Sequence, residues 1–191
     1  LQVISSELRQ SFEDDKSSRS QWEEAYTKGL DLLGLNYNER SQPFQGASGV
    51  THPLLSESVT QFQAQAYKEL LPASGPIRTQ IIGSATKEKE DQAQRVSDFM
   101  NYQIMHVMEE YDPELDQMLF YLPLAGSTFK KIYYDANLGR AVSKFIPAED
   151  LVVPYTATNL EECERVTHIL KRTDNDIKKM QVSGFYRDVD L

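Results

Sequence analysis

A chain of 191 residues with a net charge of −9, 40% hydrophobic and 26% charged, has room for one sizeable domain or two small ones and the composition of an ordinary soluble protein. No apolar run approaches the roughly 20 residues of a membrane helix, and the single cysteine, Cys163, excludes an internal disulfide and points to a reducing compartment. The acidity argues against a protein that grips nucleic acid with its whole surface, because phosphate contacts dominate such binding, but it does not exclude one past which nucleic acid slides, since a like-signed wall repels the backbone.

The chain opens Leu-Gln-Val-Ile-Ser-Ser, without the basic region of a signal peptide, and has no initiator Met. It stops at Val-Asp-Leu without a closing element and reads as a piece of a longer protein. Val3, Ile4, Leu8 and Phe12 suit a first amphipathic helix, interrupted by the polar run Asp14 to Ser20. Ser20 and Glu23 have capping-box spacing. Trp22, Tyr26, Gly29, Leu30 and Leu33 form the next stripe, which Gly34 can end. One bent helix and two separate ones fit this stretch equally. Leu35 to Val50 is a loop by composition, and its Gln45-Gly46-Ala47-Ser48-Gly49 lacks the Gly-Lys-Ser/Thr of a phosphate loop.

Thr51 or His52 is expected to cap a helix with Pro53 in its first turn, and Leu55, Val59, Phe62, Ala66 and Leu70 step along one face. Gln61, Gln63 and Gln65 flank that face and suit a wetted or subunit-facing surface, with a solvated face the plainer reading. Pro72, Gly75 and Pro76 break the chain before a predicted short strand, Ile77 to Ile82. A long helix follows over about 87–110, capped by Thr86, with Ala93, Val96, Met100, Ile104, Val107 and Tyr111 on its buried side. Met100, Met105, Met108 and Met118 read as adaptable core filling.

The pattern changes period within Asp112 to Asp135. Asp112 is a candidate cap with Pro113 in the first turn, and Leu115, Met118, Leu119 and Leu122 share a helical face. Pro123 is expected to kink or end that helix and Gly126 to permit the exit. From Ser127 the residues favour a strand through Tyr134, then a turn over Asp135 to Gly139 and a second strand from Ala141 to Ile146. Apolar residues continue across the break, so Leu119, Leu122, Phe129 and Ile132 are expected to share one core. Beyond it the chain reads mostly as strands: Leu151 to Val153 stopped by Pro154, a polar loop Thr156 to Glu164, and Arg165 to Arg172. Thr173 and Asp176 then cap a short helix anchored by Ile177 and Met180 and ended by Gly184. The fold class is α+β: amphipathic helices over about residues 1–126, then a small, mostly antiparallel sheet in a β-rich part over about 127–191.

No enzyme site emerges. His52, His106 and His168 share no metal-ligand spacing with each other or with Cys163, and His106-Val-Met-Glu-Glu is not the zinc-protease pattern. Neighbours such as Asp14-Asp15, Glu23-Glu24, Glu109-Glu110 and Glu161-Glu162 point to different faces. No catalytic, cofactor-binding or metal residue is therefore assigned, and no cofactor is expected. Lys130, Lys131, Tyr133, Tyr134, Arg140 and Lys144 do gather on the predicted hairpin. They support an alternative reading, a module that binds single strands by stacking and charge, beside the plain one of a solvated basic face.

Five stretches go further. They are QPFQGASGVTHPLLSES at 42–58, DFMNYQ at 98–103, DQMLFYLPLAGSTFKK at 116–131, FIPAEDLVVPY at 145–155 and VSGFYRD at 182–188. In this order they resemble the portal (head–tail connector) proteins of short-tailed phages. The resemblance implies a structural, non-enzymatic subunit of a homo-oligomeric ring, usually a dodecamer, at one capsid vertex. It implies a conduit for genome packaging and ejection that contacts capsid and scaffolding proteins, the terminase, tail or adaptor proteins, and double-stranded DNA in its channel. It implies a place in the virion after assembly in the host cytoplasm, with no membrane partner. The chain looks like the amino-terminal, wing-type part of such a subunit, without the stem helices and the terminase-facing clip.

Overall fold

A computed structural model describes residues 2–34, 44–47, 52–136 and 138–189. Among them α1 (Gln2–Ser18), α2 (Ser20–Leu33), α3 (Leu54–Leu70), α4 (Lys87–Tyr102) and α5 (Tyr111–Ala125) precede a hairpin of β1 (Phe129–Asp135) and β2 (Arg140–Ile146). β3 (Leu151–Val152), β4 (Thr167–His168) and α6 (Asp174–Val182) follow. The α+β class holds, and both two-stranded sheets are antiparallel. Compactness divides the chain along other lines than the helix-to-strand change near residue 126: Arg19–Glu149 is one unit, and Leu1–Ser18 with Asp150–Leu191 the other.

The larger unit is built on α5, which serves two apolar clusters. Leu115 and Leu119 are buried with Leu71, flanked by Ala66, Tyr67, Tyr111 and Met118. At the other end Ala125 is buried with Tyr26 and Ala148, flanked by Trp22, Leu30, Leu124 and Phe129. The expected common core therefore does not form: Leu119 and Phe129 lie in different clusters, and Ile132 is 69% exposed. On the hairpin face that Ile132 shares with Lys130 and Phe145, α5 reaches those two neighbours, Lys130 through Tyr111 and Phe145 through Tyr121, and leaves Ile132 on the outer strand uncovered. The helix runs to Ala125, past Pro123, before Gly126 closes it at φ 79° with an N–H to the Leu122 carbonyl. That left-handed conformation is the one glycine adopts without steric cost. Asp112 is not the cap. The helix already begins at Tyr111, with Pro113 in its first turn as expected, and Asp112 accepts a hydrogen bond from the Tyr67 hydroxyl. That bond pushes the Tyr67 pKa up to about 12, helped by burial and by the charges of Asp112 and Asp116.

The predicted stripe of α2 is observed: Tyr26 is buried, Trp22 stacks on it at 5.1 Å between ring centroids, and Gly34 caps the helix. α1 and α2 are separate helices, broken at Arg19 (φ −101°, ψ 13°). The Ser20 capping box is absent, because Glu23 accepts the Nε–H of Arg19 at 2.9 Å. On α3 the cap position falls on Pro53, one residue after His52, so Pro53 is not in the first turn as expected, and no side chain caps the helix; Thr51 lies outside the described residues, as does most of the 35–50 loop. Val59 is buried, whereas Phe62 (40%) and Leu70 (50%) remain exposed. Gln63 donates to Asp116 Oδ1 at 2.6 Å, so this glutamine ties α3 to α5 and is not merely solvated.

Two predicted elements differ. Ile77 to Ile82 forms no strand and, among the described residues, pairs with none. Its backbone is met by side chains instead: Asn101 Oδ1 accepts the Ile77 N–H at 2.9 Å, and Ser97 Oγ and Asn101 Nδ2 donate to the Ile77 carbonyl. Gly75 makes this approach possible, because a Cβ there would lie 2.4 Å from the Asn101 side chain and φ is 91°. The long helix is also interrupted. α4, capped by Thr86 as expected, stops at Tyr102; a π-helical turn, Gln103–Val107, and a break at Met108 precede α5. Of the expected buried side, Ala93, Ile104, Val107 and Tyr111 are half-buried, whereas Val96 (46%) and Met100 (41%) are exposed, as is Phe99 (60%) beside them.

In the smaller unit, Leu151 and Val152 are buried and pair with His168 and Thr167. Asp15, 5% exposed, accepts two hydrogen bonds from Arg165, from Nε at 3.1 Å and from Nη2 at 3.0 Å, which raises the pKa of the guanidinium. Ser18 Oγ accepts the Tyr155 N–H at 3.3 Å. β4 covers only Thr167–His168 of the strand expected over 165–172, because β3 offers just two residues to pair with. Thr173 caps α6 as predicted, its Oγ1 accepting the Asp176 N–H, but the reciprocal bond runs from the same hydroxyl to Asp176 Oδ2 at 2.8 Å and not from the Thr173 N–H. This part is thus less strand-rich than its sequence suggests. On α1, Val3 (69%), Ile4 (57%) and Leu8 (62%) are exposed.

Candidate functional site

The hairpin carries the only residue cluster that the sequence singles out for binding. Its register pairs Phe129 with Ile146, Lys131 with Lys144, Tyr133 with Val142 and Asp135 with Arg140, and the turn is closed by the Gly139 N–H on the Asp135 carbonyl at 2.8 Å. Alternation puts Lys131, Tyr133 and Lys144 on one face and Lys130, Ile132 and Tyr134 on the other. Asn137, in the turn, lies outside the described residues.

The structure splits the basic cluster. Lys130 places Nζ 3.7 Å from the centroid of the Tyr111 ring; burial lowers its pKa, against the opposing pull of Glu114. Arg140 Nη1 is held by Glu110 at 2.8 Å. Lys131 and Lys144 remain exposed, directly opposite one another, with Lys131 Nζ 5.5 Å from the Tyr133 ring. The two tyrosines stand on opposite faces, and Tyr134 is 68% exposed. Two adjacent stacking positions for successive bases are therefore not presented together.

The side chains that organise this site are carboxylates. Glu110 precedes α5 and Glu114 lies one turn on. Glu110 Oε1 accepts the Ser143 N–H at 3.2 Å, and Glu114 Oε2 accepts the Phe145 N–H at 2.6 Å. Together they close the open edge of β2, supplying acceptors where a third strand would. Sequence reasoning names Glu110 only as one of an adjacent pair; the available signal was the i, i+4 spacing of two acids just ahead of a basic hairpin. The adjacent pairs do diverge: Glu110 and Asp15 are paired with Arg140 and Arg165, whereas Glu109 is exposed and Asp14 accepts from Gln10 on the exposed side of α1.

Burial alone raises the Glu110 pKa, but its own N–H, Arg140 and the Ser143 N–H outweigh it and hold the carboxyl below its usual 4.5. A depressed folded-state pKa contributes stability above the unfolded value and loses it as pH falls through the folded one. Urea unfolding read by Trp22 fluorescence is thus expected to show stability declining below about pH 4.5, the ordinary value of the group. Glu110→Gln should flatten that decline, and parallel acid profiles for the two proteins would refute the assignment.

His52 precedes α3, His106 sits in the π-helical turn and His168 in β4. Among the described residues no group of three or more His, Cys, Asp or Glu is placed to hold a metal ion, and no helix is long and apolar enough to cross a membrane. Cys163 directs Sγ to the Arg165 carbonyl at 2.8 Å. A cleft of about 330 Å³ beside the β2 edge is lined by Tyr26, Tyr121, Phe145, Glu114 and Glu149, with no nucleophile–base pair. The chain matches no protein-family model and no curated protein.

Proposed function

We propose that this chain is the amino-terminal, wing-type part of a phage portal subunit, a non-catalytic structural piece of the ring through which DNA is packaged and ejected. The observation that carries the reading is the ordered run of five resembling stretches, which reaches from residue 42 to residue 188. The exposed apolar row of α4 supports an assembled protein, because Val96, Phe99 and Met100 stand exposed side by side among the described residues. The charge of −9 suits a wall past which DNA moves without adhering. In this reading capsid, scaffolding, terminase and tail proteins dock on the ring, and the terminase supplies the ATP hydrolysis. Mass photometry of the full-length protein is expected to show a closed ring of about twelve subunits, the number implied by the resemblance. A persistent monomer at micromolar concentration would overturn it.

The exposed pair Lys131 and Lys144 favours the second reading, a single-strand binder. Fluorescence anisotropy with short DNA separates the two: tight binding with a steep salt slope supports the binder, and its absence supports the conduit.

A further inference from the structure

The carboxylates on β2 fix the orientation of the whole ladder. Ser143 and Phe145 turn their N–H groups away from β1, towards Glu110 and Glu114. In an antiparallel pair their partners, Ile132 and Lys130, then turn their own N–H and C=O groups away from β2, and Tyr134 opposite Ala141 does the same. The outer edge of β1 therefore presents three residues' worth of backbone donors and acceptors, and among the described residues none of them is hydrogen-bonded. The hairpin has one edge closed by acids and one edge open.

The side chains along the open edge define what fits it. Ile132 and Tyr134, 69% and 68% exposed, stand on one face. On the other, Lys131 lies directly opposite Lys144, a like-charge pair that weakens a hairpin, and neither lysine makes an ion pair among the described residues. A two-stranded hairpin is marginal on its own, and a third strand would stabilise it.

We propose that the outer edge of β1 is a strand-addition site, and that its occupant is an extended segment of a partner protein alternating acidic and apolar residues. Main-chain hydrogen bonds to Lys130, Ile132 and Tyr134 hold the segment, its carboxylates sit beside Lys131 and relieve the Lys131–Lys144 repulsion, and its apolar side chains cover Ile132 and Tyr134. Charge complementarity selects this occupant over a basic or neutral strand. The inference stands on the hairpin alone and does not rest on the portal reading.

The test uses hydrogen exchange of the full-length protein with acetyl-Glu-Val-Glu-Val-Glu-Val-Glu-amide, matched to the seven residues of β1. Exchange in β1 slows with this peptide and not with its Lys-Val counterpart. Lys131→Glu combined with Lys144→Glu, both surface changes, reverses the preference by about tenfold, the scale of two cross-strand charge pairs. Ile132→Pro removes an outward N–H while leaving the ladder to β2 intact, so it abolishes the protection without lowering the unfolding temperature. No protection, equal protection by both peptides, or protection that survives Ile132→Pro overturns the proposal; in the first case the lysines only guard an idle edge.

Discussion

Leu119→Ala is expected to destabilise the Arg19–Glu149 unit by about 2–5 kcal/mol, the range for a leucine truncated in a packed core. Leu119 is 2% exposed and belongs to one buried cluster with Leu115 and Leu71, so its truncation leaves a cavity in a packed core. A loss of that size is a large fraction of a domain's roughly 5–15 kcal/mol and should lower the melting temperature by roughly 10 °C. Trp22 belongs to the other cluster, but α5 carries both, through Leu115 and Leu119 at one end and Ala125 at the other. Far-ultraviolet dichroism and Trp22 fluorescence should therefore fall together in the parent and together, earlier, in the variant. Ile132→Ala, at a 69% exposed position, should change stability by no more than about 0.5 kcal/mol. A Leu119→Ala protein that melts with the parent, or an Ile132→Ala protein that melts as early as Leu119→Ala, would contradict the two-cluster description.

Contrasts of that kind show which parts of the fold were readable from residue order. The α2 stripe and the α5 face were legible because helical periodicity alone decides them, and Tyr26, Leu115 and Leu119 are buried as that period requires. The hairpin was legible within two residues at its ends, from β-branched and aromatic runs around a Gly-containing turn. Ile77 to Ile82 was misread because its composition favours a strand, while its backbone partners are side chains of Ser97 and Asn101, about twenty residues away. No local pattern signals that arrangement. Periodicity marks the apolar side of α4 but not what packs on it, and Val96 and Met100 are exposed while Ala93, Ile104 and Val107 are half-buried. At the site, the lysines were visible as a composition bias. Their division into two committed and two exposed cations depends on Tyr111 and Glu110, which packing brings to them.

Arg19 is the other residue whose weight was invisible in the sequence, and its replacement is expected to have the second large effect. It is 8% exposed, breaks the chain between α1 and α2, and turns its guanidinium inward. Nη1 donates to the Ala148 carbonyl at 3.0 Å, Nη2 to the Glu149 carbonyl at 2.8 Å, and Nε to Glu23 at 2.9 Å, with the Trp22 ring 5.3 Å away. Arg19→Met keeps most of the volume but strands two carbonyl oxygens, so a cost of about 1.5–3 kcal/mol is expected, the range for hydrogen bonds to a charged group. Glu23→Gln, by contrast, touches a pair whose acid is 34% exposed, and should cost no more than about 1 kcal/mol. Arg19→Lys should not rescue, because an ammonium is a point charge on a flexible stem and lacks the planar fork that reaches both carbonyls and Glu23 together. Chemical unfolding of the three variants, followed by Trp22 fluorescence, gives the ordering. If Arg19→Lys matches the parent, or Glu23→Gln costs as much as Arg19→Met, the ion pair and not the carbonyl clamp holds this corner.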